Sequence, residues 1–206
     1  MNRLLPWRVA AWALGIIPLL FAVKWSYQSR LGANPVEFLE HYTGDWTLRL
    51  LLTTLTMTPL RMLTRLTEPV RVRRILGLWA FAFLCLHFSI YLVFDLGFSV
   101  LQLGEDLVNR TYITLGFTAW LMLLSLAITS TTAWQRRLKH RWVALHQLVY
   151  PAAILGVIHY LWLVKVDTRE PLIYLAILLV LLGFRLPWSR WVNDRRRQES
   201  SRTEIS

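Results

Sequence analysis

Apolar residues run along this chain in six long blocks, near residues 9 to 25, 46 to 63, 75 to 98, 111 to 130, 142 to 164 and 171 to 188, with short polar or basic segments between them. Each block is close to the roughly 20 residues, at about 1.5 Å each, that a helix needs to cross about 30 Å of hydrocarbon. Ten-residue segments of alternating polarity are absent, which excludes a transmembrane β-barrel. The pattern predicts an all-α membrane protein: a six-helix transmembrane bundle over 9–188, a short N-terminus at 1–8 and a basic tail at 189–206. The first block follows Arg3 and Arg8 and shows no small-residue cleavage site before Lys24, so it reads as a retained helix rather than a signal peptide.

Composition agrees with a polytopic membrane chain, since 55% of the 206 residues are hydrophobic and 11 are Trp. Charge then orients it. Basic loops stay in the cytoplasm. The N-terminus, the loop Arg61 to Arg74, the loop Arg136 to Arg141 and the segment from Arg185 hold 17 of the 23 basic residues against four acids; the other side holds six basic and eight acidic residues. The net charge of +11 thus divides into +13 inside and −2 outside. It is a topology signal with both termini cytoplasmic, not the footprint of a nucleic-acid partner. The tail WVNDRRRQESSR is either a solvated topology signal or a contact for anionic membrane lipid.

Several chemistries are excluded. Cys85 is alone, so there is no disulfide framework and no Cys-x-x-Cys for zinc, an iron–sulfur cluster or thioether haem attachment. Neither a Gly-rich phosphate loop nor an evident internal repeat appears, and the tail is too short for a nucleotide-binding domain.

The histidines carry the remaining information. Ionisable residues deep in membrane helices are costly and usually face the bundle interior, where they serve a ligand or a pathway. His87 lies in the third block, His146 and His159 in the fifth; His140 sits in a basic loop and His41 outside. Counted along the helices, His87 is about 12 Å from Asp95 and His159 about 9 Å from Lys165, so both lie in the outer half. Each embedded histidine has two readings, an interhelical hydrogen bond or a ligand, and at these depths His87 and His159 could grip one iron from opposite sides. His146 lies about 20 Å further in, the depth of a second iron. On an ideal helix it would point about 140° away from His159, and Pro151 between them permits a kink that changes the phase. Trp79, Tyr91, Trp142 and Tyr160 are candidate neighbours of the bound groups.

The single histidine in helix 3, the pair in helix 5 and the stretches HYTGDW, TPLR, RVRRILGLW and IHYLWLVK closely resemble the MsrQ (YedZ) family. These are haem-binding membrane subunits of protein-methionine-sulfoxide reductase systems, within the ferric-reductase-like transmembrane group. The resemblance runs from about residue 10 to about 190. It implies b-type haem, association with FMN, residence in the cell inner membrane, and delivery of electrons to a soluble periplasmic molybdoenzyme of the MsrP type. The wider group carries two histidines on each of two helices. Here helix 3 has only His87, with Arg73 fourteen residues before it. Arg73 or Arg74 has three readings: a partner for haem propionates, a group near the iron, or a marker of the cytoplasmic boundary. One haem or two therefore stay open.

The wider group also draws electrons through its own nicotinamide and flavin domain, and no such domain is present in this sequence. The donor is then a membrane quinol or a cytoplasmic flavin reductase, for which Arg136, Arg137, Lys139 and Arg141 are candidate contacts. The resulting expectation is a six-helix cytochrome b that passes electrons outward and leaves substrate chemistry to its partner. A histidine-lined proton or ion transporter and a plain membrane anchor are the alternatives, and neither would show a Soret band.

Overall fold

The computed structural model describes residues 3–164 and 167–185. Lys165, the end of the sixth apolar block and the 189–206 tail lie outside the described residues. Among the described residues there are helices and no strand: α1 (Leu4–Tyr27), α2 (Pro35–Thr64), α3 (Glu68–Ile90), a π-helical turn over Tyr91–Asp95, α4 (Val100–Asn109), α5 (Thr111–Ile128), α6 (Thr132–Leu138), α7 (His140–His146), α8 (Val149–Leu163) and α9 (Arg169–Gly183).

Each of the six apolar blocks, over its described residues, lies mainly on helix. Four helical segments, Leu4–Tyr27, Glu68–Asp95, Thr111–Ile128 and His140–Leu163, are long and apolar enough to cross a membrane. α2 is longer than any of these but is diluted by threonine. The reason lies in its position. α2 is the central helix, with Leu48, Leu50, Leu51, Leu52 and Leu55 buried against its neighbours, so its surface need not match lipid. Four of its threonines bond to their own helix, Thr47, Thr53, Thr54 and Thr56 each donating to the carbonyl four residues earlier at 2.7 to 2.9 Å, whereas the buried Thr58 hydroxyl does not. A cap starts the helix, with the Asn34 side chain accepting from Glu37 N–H ahead of Pro35 at the first turn.

Two helical hairpins form the body. α2 packs most extensively on α3 and α5 on α8, and contacts between the hairpins are sparse by comparison. α1 lies on α3, where Gly15 makes room for the Trp79 indole: a Cβ at Gly15 would stand 2.1 to 2.4 Å from the ring. Trp12 meets Trp79 edge-on at 5.6 Å. At the core of the bundle lie Phe83, Leu76 and Val72 of α3, Ala153 and Val157 of α8 and Leu178 of α9.

The fifth apolar block is broken rather than bent. α7 ends at His146 and α8 begins at Val149. Between them Gln147 and Leu148 donate to the carbonyls three residues earlier, and Tyr150 donates to the Gln147 carbonyl at 3.0 Å. Pro151 has no N–H to offer that carbonyl, so the tighter bond takes its place.

Candidate functional site

Helices α2, α3, α5 and α8 enclose a cavity of about 330 Å³. Its lining passes from apolar residues, among them Leu48, Leu84, Phe88 and Phe117, to a polar end with Glu40, Asp45, Asp95 and Arg110. There burial, and then the neighbouring Asp95, push the Glu40 carboxyl up to about 7. Glu40 lies in the first part of α2, ahead of the apolar block.

His87 of α3 and His159 of α8 line this cavity together. Their ring centroids are 6.3 Å apart with the planes at 80°. A metal–imidazole bond is about 2 Å and the ligating nitrogen sits about 1 Å from its ring centre, so two imidazoles on one metal stand about 6 Å apart. The second nitrogen of each ring is already occupied. His87 Nδ1 lies 3.0 Å from the Glu40 carbonyl and His159 Nδ1 2.6 Å from the Tyr112 carbonyl. A carbonyl can only accept, so both bonds require the Nδ1–H tautomer and leave Nε2 as a lone pair on the other side of the ring. Such a bond orients a metal-ligating imidazole and raises its basicity. Among the described residues no group of three or more His, Cys, Asp or Glu is placed to hold a metal ion. Two imidazoles with free Nε2 atoms lining one cavity would suit a metal that carries further ligands of its own, as a haem iron does.

His146 stands elsewhere. At the end of α7 its Nε2 lies 3.2 Å from Thr129 Oγ1, and its ring stacks on Trp142 at 3.9 Å. Trp142 Nε1–H in turn donates to the Thr129 carbonyl at 2.9 Å. Arg73 is half-buried and within electrostatic reach of His146, whereas Arg74 is exposed. The other histidines separate likewise: His41 lines the polar end of the cavity and His140 is exposed. Of the four aromatic neighbours expected from sequence, Tyr91 and Tyr160 line the cavity. Trp79 is taken up by α1, and Trp142 covers His146.

Sequence reading missed the residues beneath the imidazoles. Gly44 of α2 lies under the His87 ring and Gly116 of α5 under the His159 ring. No internal repeat is evident in the sequence, and the structure sets three pairs of matching residues at one offset. His87 and His159 are 72 residues apart, as are their acceptors Glu40 and Tyr112 and their glycines Gly44 and Gly116. The offset carries the α2–α3 hairpin onto the α5–α8 hairpin. It pairs His146 with Arg74. The recurring signal was a glycine 43 residues before a histidine, hidden because almost nothing around it repeats.

Residues 43–157, which include Gly44, His87, Gly116 and His146, match the family described as "Ferric reductase like transmembrane component". A protein of Xanthomonas axonopodis pv. citri named "Protein-methionine-sulfoxide reductase heme-binding subunit MsrQ" is 49% identical over 198 residues, covering 94% of this chain and 89% of the relative. A protein of the same name from Xanthomonas campestris pv. campestris is 54% identical over 160 residues, 78% of this chain and 73% of its own. Another, from Ralstonia nicotianae, is 45% identical over 184 residues, covering 88% of this chain and 85% of the relative.

Proposed function

The chain belongs to the ferric-reductase-like transmembrane family, where it groups with the MsrQ subunits, and from that premise we propose that it is a haem-binding electron-transfer subunit of a protein-methionine-sulfoxide reductase system. The observation that carries the proposal is the His87–His159 pair, 6.3 Å apart in one cavity with both Nδ1 atoms bonded to helix carbonyls. In this reading the two Nε2 atoms hold one b-type haem between the hairpins. When bound, that haem supplies a one-electron carrier closed to further ligands. The chain's own residues fix the tautomer, orient both rings and surround the site with apolar side chains.

Six helices cross the inner membrane with both termini cytoplasmic, which puts the polar end of the cavity on the periplasmic side. Support comes from the division of basic residues and from the six apolar blocks, each of which lies mainly on helix over its described residues. Electrons arrive from quinol, or from a reduced flavin such as FMN or a cytoplasmic flavin reductase. They leave for an MsrP-type periplasmic molybdoenzyme that reduces methionine sulfoxide in oxidised proteins. Exposed Arg136, Arg137, Lys139 and Arg141 offer a basic face to an acidic donor or a flavin phosphate.

The test is the absorption spectrum of the detergent-purified protein. We expect a Soret band in the parent and loss of the same component in His87→Ala and in His159→Ala. Loss of two different components would refute the shared iron. A colourless parent would refute the haem altogether.

At the inner end a second haem on His146, with Arg73 beside it, meets a competing reading. The Thr129 contact makes His146 an interhelical hydrogen-bonding residue. Haem-to-protein ratios decide between them: a parent ratio near two that falls in His146→Ala supports the inner haem, and a ratio near one that stays unchanged supports the hydrogen bond.

A further inference from the structure

Both candidate ligands are held by the same device, and a glycine is part of it. His87 Nδ1–H donates to a carbonyl 47 residues earlier in the chain, and so does His159 Nδ1–H. Four residues after each acceptor stands the glycine, Gly44 after Glu40 and Gly116 after Tyr112. In an α-helix the Cα–Cβ bond leans toward the N-terminus, so a side chain covers the turn before its own Cα. A side chain at 44 or 116 would therefore cover the carbonyl that the incoming ring must reach. That carbonyl has two lone pairs, one for the helix bond from residue i+4 and one for the imidazole.

We infer that Gly116 is a positioning residue: lacking a Cβ, it uncovers the Tyr112 carbonyl so that the His159 imidazole lies on bare backbone and turns Nε2 toward the cavity, while Gly44 plays the same part at the Glu40 carbonyl with room for a methyl group but not for a larger side chain. The inference rests on the haem reading above. The two positions are unequal. A Cβ at 116 would stand 2.9 Å from His159 Nδ1, a distance at which something must shift, and 3.0 Å from Cε1 and 3.3 Å from Cγ, both tighter than an ordinary contact. A Cβ at 44 would stand 3.4 Å from the nearest His87 ring atoms, an ordinary contact. The hydrogen bonds follow the same order, 2.6 Å at Tyr112 against 3.0 Å at Glu40. His159 sits closer to its helix, and its glycine is the stricter requirement. Gly77 of α3 serves as the control, since a Cβ there would meet only Thr54 Cγ2 at 3.8 Å.

The experiment uses the full chain purified in detergent, as parent, Gly116→Ala, Gly44→Ala, Gly44→Val and Gly77→Ala. Three readouts are taken: haem retention on dilution, the low-temperature EPR spectrum of the oxidised protein, and the midpoint potential. The EPR spectrum and the potential respond to imidazole orientation and basicity, which a merely structural defect would leave unchanged in the molecules that still hold haem. We expect Gly116→Ala to shift both and to weaken haem retention about 10- to 100-fold, the range for lost outer-shell partners of a metal ligand. Gly44→Ala should stay near the parent, Gly44→Val should follow Gly116→Ala, and Gly77→Ala should match the parent. Gly116→Ala with the parent's EPR spectrum and potential overturns the inference. Should Gly116→Ala fail to accumulate, the Gly44 pair decides, and a Gly44→Val protein indistinguishable from the parent overturns it. A parent that holds no haem overturns the haem reading itself, whereas a loaded parent with unresponsive variants overturns the glycine role alone.

Discussion

A guanidinium inside an apolar block needs partners as much as an imidazole does, and Arg49 has them. Its Nε–H donates to Tyr174 OH at 2.8 Å, its charge lies 3.8 Å from Asp45, and its guanidinium lies 5.3 Å from the Trp46 ring centre. Hydrogen bonds to charged groups contribute about 1.5–3 kcal/mol. Tyr174→Phe should therefore cost about that much, seen as a lower unfolding midpoint in detergent with haem content unchanged; a midpoint equal to the parent's would show that Asp45 and Trp46 suffice. At this scale the sequence was legible where one residue type carries the message. His87, His146 and His159 stand out because an ionisable group in hydrocarbon is costly. Gly44 and Gly116 do not, because a glycine's role here is to leave space, and only the ring that fills the space reveals it. Arg49 shows in the sequence only as one of the outer-side charges, because its acceptor is 125 residues away, on α9.

Helices were legible as existence and approximate extent, and less so as continuity. The fifth apolar block gives no sign in its hydropathy that it is α7 and α8 with a break at Gln147 and Leu148, although Pro151 marks the region. α2 begins at Pro35, well before its apolar block, because Asn34 and Pro35 start a helix regardless of what lipid would prefer. α4 is a further element that the hydropathy did not predict. It is tied back through Asp106, which accepts from Tyr91 OH of the π-helical turn and pairs with Arg110 at 3.2 Å. The contact between α1 and α3 supplies a prediction at this scale. A methyl group at Gly15 has nowhere to go against the Trp79 indole, and overpacking of this kind costs about 1–3 kcal/mol. Gly15→Ala should loosen α1 from α3, read as faster amide exchange along α1 and weaker cross-linking between cysteines placed on the two helices. Unchanged cross-linking would mean that Trp79 has another rotamer available.

For the molecule as a whole, orientation is the property most directly carried by the chain's charge. A reporter fused after Ser206 should read cytoplasmic and one inserted at Gly104 should read periplasmic. Both reading the same side would require a different number of crossings. The 72-residue offset has its own consequence at this scale. Each hairpin contributes one imidazole, and the hairpins touch each other far less than each touches itself. A group gripped by both rings would act as a clasp across the seam, making the union of the two halves a function of how much of it is present. Mass action sets the size of the effect: about 2.7 kcal/mol of added stability at a free concentration 100 times the dissociation constant. Two separately expressed chains, one ending and the other beginning within α4, should then assemble in detergent when haem is supplied and drift apart when it is withheld. The prosthetic group would be the fastening that makes one protein out of two separate hairpins.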